Sequence, residues 1–164
     1  EINIIKYNIN MLDIEDFKKK LDKKSRLMGI DPGRKRCGIA ISDENKIVAT
    51  PYTTIIKNNY SKFIDDIKKI IKENNIKGII VGNPINLDGT PSRSSKSAKD
   101  LAINLSKDIT ENITIWDERL SSQGAFNLSR NLNINTSKKV EKLDENSAQF
   151  ILQGALDYLT KENT

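Results

Sequence analysis

The run Gly78 to Val81 (GIIV) is apolar without interruption and lies between two stretches of helical period. Before it, Phe63, Ile67, Ile70 and Ile71 recur at helical spacing within residues 60–74. After a loop from Gly82 to Pro91, Ala98, Leu101, Ala102 and Leu105 do the same. A continuous apolar strand of this kind is covered on both faces of a sheet, and helices before and after it supply the cover.

Upstream the period is that of hairpins. Arg26 to Asp31 (RLMGID) is a short apolar strand, Pro32 and Gly33 turn it, and Arg36 to Ser42 (RCGIAIS) returns. Asp43, Glu44 and Asn45 turn the chain into a third strand around Ile47 to Thr54. Downstream, Ile113 to Asp117 (ITIWD) is a further strand, and residues 121–132 and 144–160 are helical stretches joined by a polar loop over 133–143. Residues 13–24 (DIEDFKKKLDKK) form a short basic helix with Ile14, Phe17 and Leu21 on one face. The order from Arg26, β-β-β-α-β-α-β-α-α, predicts an α/β fold: a mixed five-stranded sheet flanked by helices on both faces. Residues 1–25 are expected to be a partly helical N-terminal extension, and 26–164 one domain, with Met11 a plausible native start.

The composition narrows the chemistry. The single cysteine, Cys37, forms no internal disulfide, and the absence of histidine excludes a zinc finger and a histidine-based triad. A metal site would have to use oxygen ligands, which favours Mg²⁺ or Mn²⁺. The formal charge of +5 permits nucleic-acid binding, but Lys-rich composition alone gives the same balance. No run approaches the roughly 18 apolar residues of a membrane span. A cytoplasmic protein without membrane contact is expected.

Three acidic positions stand at special places. Asp31 ends the first strand, where ligands of open α/β sheets bind. Asp117 and Glu118 end the last strand; adjacent strand residues face opposite ways, so only one of them can join Asp31. Asp144 opens the last helix, four residues before Ala148 and seven before Ile151 on its apolar stripe, where the dipole of a first turn favours an anion. If one strand separates those of Asp31 and Glu118, their backbones stand about 10 Å apart and the acids could share metal ions. Each acid also has a plainer reading, as a turn residue or a helix cap.

Four segments in order, GIDPGRKRCGIAISD (29–43), IIVGNPINLDGT (79–90), WDERLSS (116–122) and LDENSAQFILQGALDYL (143–159), resemble the YqgF family of RuvC-like Holliday-junction resolvases. The resemblance covers nearly all of residues 26–160. It implies an RNase H-like fold, with strand one beside strand four and strand five next. It also implies a metal-binding catalytic triad of Asp31, Glu118 and Asp144, and a nuclease that matures the 5′ end of pre-16S ribosomal RNA. Resolution of branched DNA is the alternative activity. Pro32 and Arg34 replace the Phe and Thr frequent near the first acid, and Ser121-Ser122 stand where Ser-Thr or Thr-Thr is usual.

Arg34, Lys35 and Arg36 adjoin Asp31 and are the expected phosphate contacts, with Arg93 and Arg119 beside the other segments. Arg93, Lys96 and Lys99 fall at helical spacing, and Gly82 and Gly89 would let nucleic acid approach the backbone closely. Trp116 is expected in the core. A monomer or weak homodimer is expected. Rival readings are a nucleic-acid-binding module without catalysis, which would tend to lose the acids, and an actin-like ATPase, which needs a second such domain.

Overall fold

The computed structural model describes residues 10–83, 95–120 and 137–161; for residues 95, 96, 119 and 137–145 the backbone alone is described. The elements are α1 (Ile14–Lys19), β1 (Arg26–Pro32), β2 (Arg36–Ser42), β3 (Ala49–Ile56), α2 (Tyr60–Glu73), β4 (Ile76–Asn83), α3 (Ser95–Asp108) and β5 (Asn112–Asp117). A 3₁₀ turn (Glu118–Leu120) and α4 (Ser137–Thr160) follow.

The strands form one sheet in the order β3-β2-β1-β4-β5. The hairpin strands pair antiparallel, whereas β1–β4 and β4–β5 are parallel. The apolar run inside β4 therefore lies deep in the sheet, and Ile79, Ile80 and Val81 are fully buried. Phe63 and Ile67 of α2 pack on one face with Leu101 and Leu105 of α3. Phe17 of α1 packs on the other with Leu152 and Leu156 of α4, and Trp116 of β5 joins them. The mixed sheet with helices on both faces is the arrangement the alternating pattern predicts.

The turn before β3 is made by one side chain. The Asp43 carboxylate accepts the N–H groups of Asn45, Ile47 and Val48 at 3.1, 2.7 and 2.8 Å. That clamp extends the turn to Val48, so β3 begins at Ala49, two residues later than expected, and ends at Ile56. Burial by itself would raise the Asp43 carboxyl, but these donors outweigh it and hold it below its ordinary value. Lys46 takes a left-handed φ of 60° inside the turn. Its buried ammonium donates to the carbonyl of Asp22, tying residues 20–24 to the hairpin.

Two helix readings are corrected. The basic helix stops at Lys19 instead of running through 24, because Lys20 caps it with its N–H on the carbonyls of Phe17 and Lys18. The last helix begins at Ser137, so residues 137–143 are helix and not loop. Lys138, Lys139, Glu141 and Lys142 are good helix formers whose polarity reads as a loop, because propensity is silent in a hydrophobic count. The helical stretch expected over 121–132 lies outside the described residues.

Both sheet edges are guarded. Along β5, Ile113 donates to Asn10 O and receives Leu12 N–H, both at 2.8 Å. Along β3, Gln153 Oε1 accepts the Ala49 N–H at 2.9 Å and Gln149 Nε2 donates to the Ala49 carbonyl at 3.1 Å. Pro51 lacks an N–H, and the register slips at Tyr52, which sits between the paired residues Pro51 and Thr53. Among the described residues no helix is long and apolar enough to cross a membrane.

Candidate active site

Strand alternation decides which acids share a face. On β1, Leu27 packs with α4 and Ile30 with the opposite core. Gly29 also faces α4: a Cβ there would stand 2.7 Å from Leu152 Cβ and 3.2 Å from the Ala148 carbonyl. Asp31 follows two residues later and faces the same way. On β4, Ile80 packs with α4, and Gly82 repeats its orientation. A Cβ at Gly82 would meet Ile151 Cδ1 at 2.5 Å and Glu118 Oε1 at 3.1 Å. Because Ile30 pairs with Val81, Asp31 and Gly82 are lateral neighbours one step further along the parallel strands.

Glu118 reaches this place because the chain leaves β5 after Asp117 into the 3₁₀ turn. Trp116, two residues before it, lies in the core on the α4 side. Asp117 instead continues the alternation of Ile113 and Ile115, whose side chains belong to the α2–α3 side. Of the two acids left open by the sequence, Glu118 shares the face of Asp31, with Gly82 between them. The strands β1 and β5 are separated by β4 alone, so their backbones stand about 10 Å apart.

Asp144 is not in the first turn of its helix, since α4 starts seven residues earlier, at Ser137. The macrodipole argument for an anion there fails, because that field is confined to the terminal turn. Its place on the stripe stands: Asp144 is four residues before Ala148, which is fully buried against the sheet near Gly29. Its side chain lies outside the described set. Among the described residues no trio of His, Cys, Asp or Glu forms a metal cage.

The donor set nonetheless suits a hard divalent cation. Asp31 and Glu118 are carboxylates on one face at the carboxyl ends of parallel strands, and Glu118 Oε1 is withdrawn from solvent. A charge so placed needs a cation or hydrogen-bond donors. Gly82 has a packing reason to be glycine: its missing side chain leaves space for Ile151 and the Glu118 carboxylate.

Of the basic residues, Arg34 and Lys35 are exposed at the tip of the β1–β2 hairpin and Arg36 is half-buried at its base. Gly33 is obligatory there, since a Cβ would stand 2.0 Å from the Arg36 carbonyl. Sequence reasoning missed Lys57, whose N–H donates to Lys35 O at 2.7 Å and whose ammonium donates to Gly33 O at 3.2 Å. It fixes the loop that carries Arg34 and Lys35; nothing in its sequence surroundings marks it. Lys99 is exposed on α3, whereas Arg93, Gly89 and the side chains of Lys96 and Arg119 lie outside the described set. Trp116 is 1% exposed and stands edge-on to Tyr158 at 5.5 Å between ring centres, a core residue as expected.

A family model for RuvX, described as Holliday junction resolvase, matches residues 25–158. The chain belongs to this family. A protein of Pelagibacter ubique, named provisionally as a pre-16S rRNA nuclease, is 54% identical over 91% of this chain and 99% of its own length. A Rhodobacter capsulatus protein of the same name is 37% identical over 89% and 92%. The fold is that of Thermus thermophilus RuvC, solved in complex with a Holliday junction substrate. That likeness has a TM-score of 0.50 at 9% identity and covers 82% of this chain and 94% of the other. It makes the five-stranded sheet RNase H-like, as the sequence resemblance implied. Resolvases and ribosomal RNA nucleases both hydrolyse phosphodiester bonds, so the family and its named members agree on the reaction class and differ on the nucleic acid.

Proposed function

We propose that this RuvX-family chain is a metal-dependent nuclease that processes the 5′ end of pre-16S ribosomal RNA in the cytoplasm. The observation that carries this reading is the row Asp31–Gly82–Glu118 on one face of the sheet. Asp31 and Glu118 would hold Mg²⁺ or Mn²⁺, with Asp144 of α4 as the third carboxylate. A bound cation of this type supplies charge stabilisation to the phosphorus oxygens during hydrolysis. The residues of the chain do the rest. The carboxylates fix the position of the charge. Gly82 keeps the two strands' acids from being pushed apart. Arg34 and Lys35, with Arg36 below them, Arg119 next to Glu118 in sequence and Arg93 after the β4 loop, bind and orient the phosphate backbone.

The named relatives favour the ribosomal substrate, and the family description favours branched DNA as the second reading. A paired assay separates them: the chain and its Asp31→Asn variant on pre-16S RNA and on a four-way DNA junction, each with Mg²⁺ or Mn²⁺. Cleavage of the RNA by the parent and not by the variant is the expected result. Cleavage of the junction alone would transfer the site to branched DNA. No cleavage of either would favour a binding module, and equal cleavage by the variant would mean that the site lies elsewhere.

A further inference from the structure

The basic segment at α1 has no part in the site described above, although it packs on the same face of the sheet. Phe17 of α1 lies against Gly78 of β4, where a Cβ would stand 2.6 Å from its ring. Glu118 lies against Gly82 of the same strand, four residues on, about 13 Å away. Lys19, Lys20, Lys23 and Lys24 are all exposed. Most acids of this stretch gather at the helix start, at Asp13, Glu15 and Asp16; Asp16 makes a loose, exposed ion pair with Lys19 at 4.0 Å, and Asp22 alone interrupts the lysines beyond.

A helix C-terminus attracts cations, and that accounts for Lys18 and Lys19. It does not account for Lys23 and Lys24, which lie beyond the helix. Those two stand on a fixed strip, because the Lys46 ammonium grips the Asp22 carbonyl and Ser25 N–H donates to Glu44 O. A nucleic-acid strand places a phosphate about every 3.4 Å of axis, so the acid pair and this strip are about four to six phosphates apart.

We propose that Lys19, Lys20, Lys23 and Lys24 form a second phosphate-binding surface, which holds nucleic acid flanking the scissile bond. The proposal rests on the nuclease reading for its ligand class, a nucleic-acid backbone. It predicts affinity that grows with substrate length until the strip is reached.

The test is fluorescence-anisotropy binding of the full chain, without divalent metal, to a labelled duplex of about 30 base pairs and to a strand of about six nucleotides. These lengths bracket the span estimated from phosphate spacing. The quadruple Gln variant at positions 19, 20, 23 and 24 should bind the duplex about tenfold or more weakly near 0.15 M salt. The slope of log K against log salt should shrink by about 3.6, about 0.9 for each of the four lysines. The quadruple Arg variant should bind as the parent does, which separates charge loss from misfolding. Equal affinity and slope for parent and Gln variant would overturn the proposal and leave the lysines as a solvated face. So would loss of binding in the Arg variant. Cleavage that fails while the lysine-dependent slope persists would instead sink the nuclease reading and spare this surface.

Discussion

At the scale of single residues, the decisive contrast is between neighbours in sequence. Asp117 and Glu118 are adjacent, yet alternation sends one to the α2–α3 side and the other to Gly82. Glu118→Gln should therefore lower phosphodiester cleavage by about 10²-fold or more, the scale of losing one charge-stabilising group. Asp117→Asn should stay within a few-fold of the parent. Steady-state cleavage of one labelled substrate checks both, and the reverse ranking would mean that the face assignment is wrong. Gly82→Ala places a methyl group 2.5 Å from Ile151 Cδ1 and 3.1 Å from Glu118 Oε1. It should cost about 1–3 kcal/mol in chemical denaturation, the usual range for overpacking, and reduce cleavage because Glu118 must move.

At the scale of elements, the β2–β3 turn and the β3 edge are each held by identifiable side chains. Asp43→Ala removes the acceptor of three N–H groups and should cost about 1–2 kcal/mol at neutral pH. Because folding holds the Asp43 carboxyl below its ordinary 3.8, its contribution is complete above that value and is lost as pH falls through the folded value. The difference between parent and variant should thus shrink below about pH 3.8 in urea titrations at several pH values. Gln149→Ala with Gln153→Ala uncovers the Ala49 edge and should raise aggregation more than it lowers stability, a difference light scattering would register. These same elements show what a sequence discloses. The stripe Ala148, Ile151, Leu152, Ala155, Leu156 was readable because burial is periodic. The first two turns of α4 were not, because Lys and Glu signal helix by propensity and loop by polarity. Asp31 was readable as a strand-end acid. The choice of Glu118 needed the 3₁₀ turn after β5, and Lys57 acts through a contact between segments far apart in the chain.

At the scale of the whole molecule, β1, β4 and β5 run parallel and bring their carboxyl ends to one rim, whose α4 side carries the acid pair, while α1 packs lower on that same face and the lysine strip follows from its C-terminal end. Hydrolysis should therefore be metal-dependent and fall with rising salt, since in the proposed function carboxylates would hold the ion and lysines and arginines the phosphates. The most direct test of the central claim is the position of the anomalous-scattering peak in a crystal of the chain soaked in Mn²⁺. The account predicts a peak about 2.0–2.3 Å from carboxylate oxygens of both Asp31 and Glu118, beside Gly82. A peak on Asp117, or none within coordination distance of Asp31 and Glu118, would contradict it.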